Sequence, residues 1–225
     1  MQTGKATVVE TILQDGQRLA RISCPAALIP SAGQYALAGD VSNLPLSVPL
    51  FYTDSAPGGF ICAPSISVTW RPGQVIYLRG PLGRGFNIPV AARKIALVAF
   101  DGSPWRLRGL AQPALKQGAV VLVSETSVDN FPDVVEVLPL SALPEIIDWA
   151  DCVALDVVRE NLIGLKEKLG APNQAAALLE AQILIHTQMP CGGVAECGVC
   201  AISLKSNWKI VCKEGPVFYY RELFD

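Results

Sequence analysis

Three cysteines and three glycines share ten residues, Cys191-Gly-Gly-Val-Ala-Glu-Cys197-Gly-Val-Cys200, and a fourth cysteine follows at Cys212. The spacing is Cys-x5-Cys-x2-Cys-x11-Cys. Three chemistries compete for such a set. A structural zinc ion asks for two separated Cys-x2-Cys knuckles or Cys/His pairs, whereas this tail supplies one knuckle and two single thiols. A disulfide pair belongs to an oxidising compartment. A [2Fe–2S] cluster asks for three thiolates on one loop and a fourth from a distant strand, the plant-type run being Cys-x4-Cys-x2-Cys with a later Cys. The glycines favour the cluster. They let the backbone enter positive φ and bring N–H groups up to sulfur, where hydrogen bonds tune the potential. The first interval is one residue longer than in the plant-type run.

Other reactive side chains are sparse. Cys24, Cys62 and Cys152 stand singly among apolar neighbours and read as small buried hydrophobes. His186 is the only histidine; beside four cysteines it reads as a structural or surface residue rather than a ligand. Ser47 and Ser124 have no other histidine to activate them, which argues against a hydrolytic triad. Asp148, Asp151 and Asp156 read as a solvated helix end. Trp105 with Arg106 and Arg108 reads as a docking patch or as an amphipathic helix with snorkelling arginines.

The chain must then build what holds that loop. Its 225 residues are 51% hydrophobic and 17% charged with net charge −2, enough for a sizeable core in one to two domains. No basic or acidic block points to nucleic acid or an anionic membrane. The N-terminus has no apolar export region after a basic start, and no apolar run approaches the ~20 residues that span a bilayer. The expectation is a cytoplasmic protein whose cysteines are reduced thiols or metal ligands.

The first ninety residues or so read as short strands between turn signals, beginning with two alternating runs joined at Asp15-Gly16, a type I′ hairpin signal. Six or more such strands predict an antiparallel barrel. After "GPLGRGFNIP" the pattern changes to continuous apolar runs, "KIALVAF", "AVVLVSE" and "CVALDVV", alternating with helical stretches, which predicts a small α/β layer with a parallel sheet. Ser103 and Pro104 predict the N-cap and first turn of a helix running to Gly118. Gly170 predicts the stop of a helix over "RENLIGLKEKL".

The stretch "MPCGGVAECGVCAI…IVCKEGPVF", residues 189 to 218, resembles the iron–sulfur segment of the electron-transfer subunits of dihydroorotate dehydrogenase. The fourth cysteine of that family sits in Cys-Lys-Asp-Gly-Pro-Val-Phe; here the run is Cys212-Lys213-Glu214-Gly215-Pro216-Val217-Phe218. The turn "GPLGRGF" at 80 to 86 also fits the family. The order of parts matches across nearly the whole chain: a flavin-binding barrel of ferredoxin-reductase type, an α/β nucleotide domain, then the cluster. The resemblance implies electron flow from NADH to FAD, to a [2Fe–2S] cluster, and on to the FMN of a separate catalytic subunit.

The phosphate-binding parts depart from the family. Its Arg-Pro-x-Ser flavin motif stands here as Leu44-Pro45-Leu46-Ser47, without the arginine that pairs with the FAD pyrophosphate. Its Gly-Thr pair falls near Ala63-Pro64, where proline offers no N–H. The dinucleotide turn is "AFDGSPWRLRGL", with one glycine between strand and tryptophan, Asp101 beside the phosphate position and Pro104 in place of a donor. The family's Cys-Gly-Pro motif is missing around Cys152.

The sequence therefore predicts a multi-layer α+β protein: a ferredoxin-reductase-like antiparallel β-barrel over 1–91, a reduced α/β nucleotide-binding-like domain over 92–186, and a [2Fe–2S] segment over 187–225. The expected metal ligands are Cys191, Cys197, Cys200 and Cys212. Pro45, Leu46 and Ser47 are the FAD candidates, with FAD binding open in both directions and NAD(P)H binding argued against. The expected role is an electron-transfer subunit in a hetero-oligomer with a partner flavoprotein, such as a dihydroorotate dehydrogenase catalytic subunit. No residue set for bond-making chemistry is evident in the chain itself. The alternative is a non-enzymatic scaffold or regulatory subunit that has lost FAD and NAD binding.

Overall fold

Six antiparallel strands close on themselves at the N-terminus: β1 (Gln2–Gln14), β2 (Gln17–Ser23), β3 (Tyr35–Gly39), β4 (Val48–Ala56), β5 (Gly59–Cys62) and β6 (Val75–Leu82), in the order β1-β2-β5-β4-β3-β6. The structure is a computed structural model, and it describes residues 2–39, 47–63, 66–126, 131–170, 180–191, 193–204 and 207–224. The β1–β2 turn has φ 48° at Asp15 and 68° at Gly16, the pair of positive values a type I′ hairpin requires. Val8, Ile22, Leu50, Phe60, Ile76 and Leu78 fill the barrel. The period of two in β6 is plain: Ile76, Leu78 and Gly80 are buried, while Tyr77 and Arg79 lie on the outer wall.

The second layer is a six-stranded sheet in the order β14-β11-β10-β7-β8-β9. Its parallel strands are β7 (Lys94–Ala99), β8 (Ala119–Ser124), β9 (Glu136–Leu138), β10 (Cys152–Val158) and β11 (Gln182–His186). The near-continuous apolar runs of β7, β8, β10 and β11 are buried, as a parallel sheet covered by helices demands, while β9 at the edge is largely exposed. The helices are α1 (Arg108–Leu115), α2 (Leu143–Trp149) and α3 (Leu162–Leu169). Gly170, at φ 71°, stops α3 where the sequence places the stop. No helix among the described residues is long and apolar enough to cross a membrane.

The helix expected from Pro104 to Gly118 is divided. Pro104–Arg106 form a single 3₁₀ turn, Ser103 makes no side-chain cap, and α1 ends at Leu115. The cause is burial of the turn. Thr53 Oγ1 donates to Trp105 O at 3.1 Å, Trp105 is 1% exposed, and Arg106 is drawn inward to a carboxylate.

The tail rejoins the sheet. A hairpin of β12 (Ala201–Ser203) and β13 (Trp208–Ile210) leads into the short helix α4 (Val211–Glu214). Next, β14 (Val217–Tyr219) pairs antiparallel with β11, and α5 (Tyr220–Phe224) ends the described chain. The barrel exit meets this return. Arg84 N donates to Gly215 O at 2.6 Å, and Arg84 Nη1 lies 2.6 Å from Glu222 Oε2. Gly83, at φ 78°, could not carry a Cβ, which would fall 2.4 Å from Pro216 Cδ.

Phe218, 1% exposed, anchors the return in the largest core cluster. Phe218→Ala is expected to cost about 3–5 kcal/mol in chemical unfolding. A loss below about 1 kcal/mol would show that β14 contributes little to holding the tail.

Candidate redox centre

The hairpin β12–β13 brings the third and fourth cysteines together. Cys200 immediately precedes β12 and Cys212 follows β13, with Val211 N donating to Cys200 O at 3.2 Å and Cys212 N lying 3.5 Å from Cys200 Sγ. Both are buried, at 1% and 4% exposure. Cys191 is half-buried and Cys197 exposed at the solvent side of the loop. The Cys212 N–H thus brings its cysteine up to Cys200 Sγ. Cys197 bears on the ionisation of Cys191, and Cys191 is close enough to Cys212 for their charges to interact. Among the described residues, no three His, Cys, Asp or Glu side chains are grouped as a site for one metal ion.

The loop backbone is shaped around sulfur. Gly193, Ala195 and Gly198 have φ of 75°, 65° and 69°. Such left-handed steps turn successive N–H groups inward into an anion-binding concavity. Burial raises the Cys191 thiol, but N–H groups of Cys197, Glu196 and Val194 together with the Cys197 side chain outweigh it and bring its pKa down to about 6. Cys212 is pushed up to about 12 by burial and by Cys200 beside it. A thiol held in that state ionises readily only when a cation binds, and metal binding supplies one. The donor set and the N–H groups aimed at sulfur fit an iron–sulfur group.

The barrel wall faces this loop. Tyr35 Oη donates to Cys212 O at 2.9 Å, and burial together with the nearby cysteines raises the tyrosine pKa. A cleft of about 560 Å³ opens beside it, lined by Leu37, Ser47, Tyr77, Arg79, Pro190 and Cys191 among others. Ser47, one of the three flavin candidates, therefore shares a cleft with a loop cysteine. Pro45 and Leu46, together with Leu44 and Pro64, lie outside the described residues.

The carboxyl ends of β7 and β10, where an open α/β sheet receives a dinucleotide, carry a buried ion pair. Arg106 Nε lies 2.8 Å from Asp156 Oδ2, and the side chains are 10% and 2% exposed. Asp101 accepts the Val158 N–H at 3.1 Å and 3.2 Å through its two oxygens. Two expectations are corrected. Asp156 is no solvated acid, because β10 carries it into the sheet, where burial raises its pKa against the pull of Arg106. Arg106 does not snorkel, because the 3₁₀ turn points it inward; Arg108 instead pairs with Asp54 at 2.5 Å and lies over the Trp105 ring. Asp151 receives the N–H groups of Arg93 and Lys94, each at 3.0 Å. Ser124 Oγ donates to Thr126 O at 3.1 Å. Cys62 and Cys152 are buried as read, with pKa values of about 12 and about 11 from burial, and Cys24 is half-buried.

The barrel and the mostly parallel sheet together define a ferredoxin-reductase-like fold, which the cysteine-bearing tail completes. Residues 186–224 match the family model for the iron-sulfur cluster binding domain of dihydroorotate dehydrogenase B. The chain is 26% identical over 172 residues to the dihydroorotate dehydrogenase B (NAD(+)) electron transfer subunit of Clostridium acetobutylicum, covering 68% of this chain and 66% of that one. It is 23% identical over 190 residues to sulfhydrogenase 1 subunit gamma of Pyrococcus furiosus, covering 68% of this chain and 64% of that one. The chain thus spans just under two thirds of the length of these relatives. In the NADH-dependent reduced ferredoxin-NADP oxidoreductase structure, one chain superposes with a TM-score of 0.72 at 16% identity, covering 96% of this chain and 88% of that one. These likenesses support the resemblance to the electron-transfer subunits of dihydroorotate dehydrogenase.

Two measurements test this buried pair and its surroundings. Arg106→Met should cost about 3–5 kcal/mol by stranding Asp156, while Arg106→Met with Asp156→Leu should recover most of that loss; equal losses would mean that the pair is not coupled. His186, beneath Phe51 with ring centroids 6.0 Å apart, is held down to about 3 by burial and then by Arg106, from an ordinary 6.5. Between these values the folded state binds fewer protons than the unfolded state, so the His186 contribution to stability grows as pH rises from about 3 to about 6.5. The wild-type stability minus that of His186→Leu should climb by at most about 1.4 kcal/mol per pH unit across that window. A flat difference would overturn the shift.

Proposed function

We propose that this chain is an electron-transfer subunit that holds one [2Fe–2S] cluster on Cys191, Cys197, Cys200 and Cys212 and exchanges single electrons with a partner flavoenzyme. The observation that carries the reading is the meeting of Cys200 and Cys212 across the β12–β13 hairpin, beside a loop that carries Cys191 and Cys197 through three positive-φ steps. Four thiolates suit two irons, each taking two cysteine ligands besides the inorganic sulfides. When bound, the cluster supplies a one-electron redox couple. The chain's own residues hold it, shield one side of it and set its electrostatics. A dihydroorotate dehydrogenase catalytic subunit is the partner class supported by the matched segment and the Clostridium acetobutylicum relative; the Pyrococcus furiosus relative extends the range to hydrogenase complexes.

The Arg106–Asp156 pair favours a subunit that receives electrons from its partner rather than from its own NAD(P)H, because a dinucleotide would have to displace a buried ion pair. A flavin is supported by Ser47 sharing the cleft with Cys191, and opposed by Leu44 standing where the family carries an arginine. The second reading, a scaffold or regulatory subunit without flavin or nucleotide, draws on the same buried ion pair.

An anaerobic visible spectrum with metal and flavin quantified in the same sample decides among these. The expected protein carries about two irons per chain, is bleached by dithionite, and is not bleached by NADH. Cys200→Ser and Cys212→Ser should lose the iron. Zinc without iron would overturn the electron-transfer reading, and bleaching by NADH would show a working nucleotide site.

A further inference from the structure

Arg79 leaves the barrel wall toward the cysteine loop. Its register partners are Leu37 on β3 and Thr3 on β1, so the pleat places it on the outer face that also carries Tyr35. These side chains converge on Gly193. A Cβ there would lie 3.1 Å from Tyr35 Oη, 3.4 Å from Leu37 Cδ1 and 3.6 Å from Arg79 Nη2. The glycine thus lets the loop approach the guanidinium, and Arg79 and Cys191 line one cleft.

Arg79 is half-buried, and among the described residues it has neither an ion pair nor a hydrogen bond. By contrast, Arg21, Arg84, Arg106, Arg108, Arg159 and Arg221 each face a carboxylate. Arg159 also reaches the loop, donating to Val199 O, but Glu160 balances its charge. The loop's own acid, Glu196, is exposed to solvent screening. Among the described residues, a positive charge without a paired carboxylate therefore stands beside the cysteine loop, partly shielded from water.

We propose that Arg79 is the fixed counter-charge of the cysteine site and raises the reduction potential of the iron–sulfur group held there. The inference rests on the iron–sulfur reading above. A [2Fe–2S] group on four thiolates is already anionic when oxidised, and one-electron reduction adds a further negative charge with no bond made or broken. A nearby cation stabilises the more negative state more strongly, and it does so best where water screens least. Arg79 touches no reacting atom; it acts through its field.

The test uses the full chain with Arg79→Met, Arg79→Gln and Arg79→Lys, and Arg71→Gln as a control. Iron and sulfide are quantified first, and the midpoint potential is then measured by mediator titration against dithionite, following the visible bands and the electron paramagnetic resonance of the reduced state. Arg79→Gln and Arg79→Met should keep their iron while the reduction equilibrium weakens roughly tenfold, a midpoint about 59 mV more negative for one electron. Arg79→Lys, which keeps the charge, should stay within about threefold of the wild type, or about 28 mV. Arg71→Gln, an exposed arginine on a barrel turn bonded to Val68 O and Trp70 O, should leave the midpoint unchanged. Equal midpoints across the series would overturn the proposal. So would a fall in Arg79→Lys as large as in Arg79→Gln, or loss of iron in the neutral variants alone, since either assigns Arg79 a structural role. A wild-type chain without iron would instead overturn the iron–sulfur reading, and the metal analysis reports that before any potential is read.

Discussion

The return of the tail to the sheet is the constraint on which the rest depends. β14 pairs antiparallel with β11, and the turn before it is locked against the barrel exit through the Arg84 N–H and the carbonyl of Gly215. Cys212 sits between that turn and the β12–β13 hairpin, so both of its flanks are fixed by pairing. Tyr35 then ties its carbonyl to the barrel. Two stretches far apart in sequence, "GPLGRGF" and "CKEGPVF", carry the family resemblance, and they are the two that touch here. Their composition follows from that contact: glycines where backbones meet, proline where the tail turns.

Much of this was legible in the chain. The Asp15-Gly16 hairpin, the alternation along the barrel strands and the apolar runs of β7, β8 and β10 encode their structure locally. The cysteine spacing marked the site for the same reason. What could not be read depends on register. β14 and the β12–β13 strands have three residues each, too few for a periodicity to show. Nothing local sets Arg79 apart from other barrel residues; its pairing with Leu37 and Thr3 is what places it across from Gly193. Asp156 looked like a surface acid because nothing local announces that Arg106 will turn in to meet it.

The α/β layer shows how a nucleotide fold can keep its architecture while changing its contents. The strand order and the crevice persist, yet an indole and an ion pair occupy the place where anion-binding backbone would lie. The layer still has structural work to do, since β11 and β10 carry the pairing that seats the tail. The turn after β7 thus departs from a glycine-rich one while the scaffold stays intact.

The four thiols differ in their access to water. Cys200 and Cys212 lie in the core, Cys191 at its margin and Cys197 in the open, flanked by the exposed Val194 and Val199. Cys200 and Cys212 are closed in by the hairpin and β14, whereas Cys197 stays reachable from outside the finished fold. Under the proposed iron–sulfur role, loading follows folding, with an iron donor working from the Cys197 edge while barrel and sheet remain closed. The same edge is the one from which oxidants reach the sulfurs, so maturation and damage share a door.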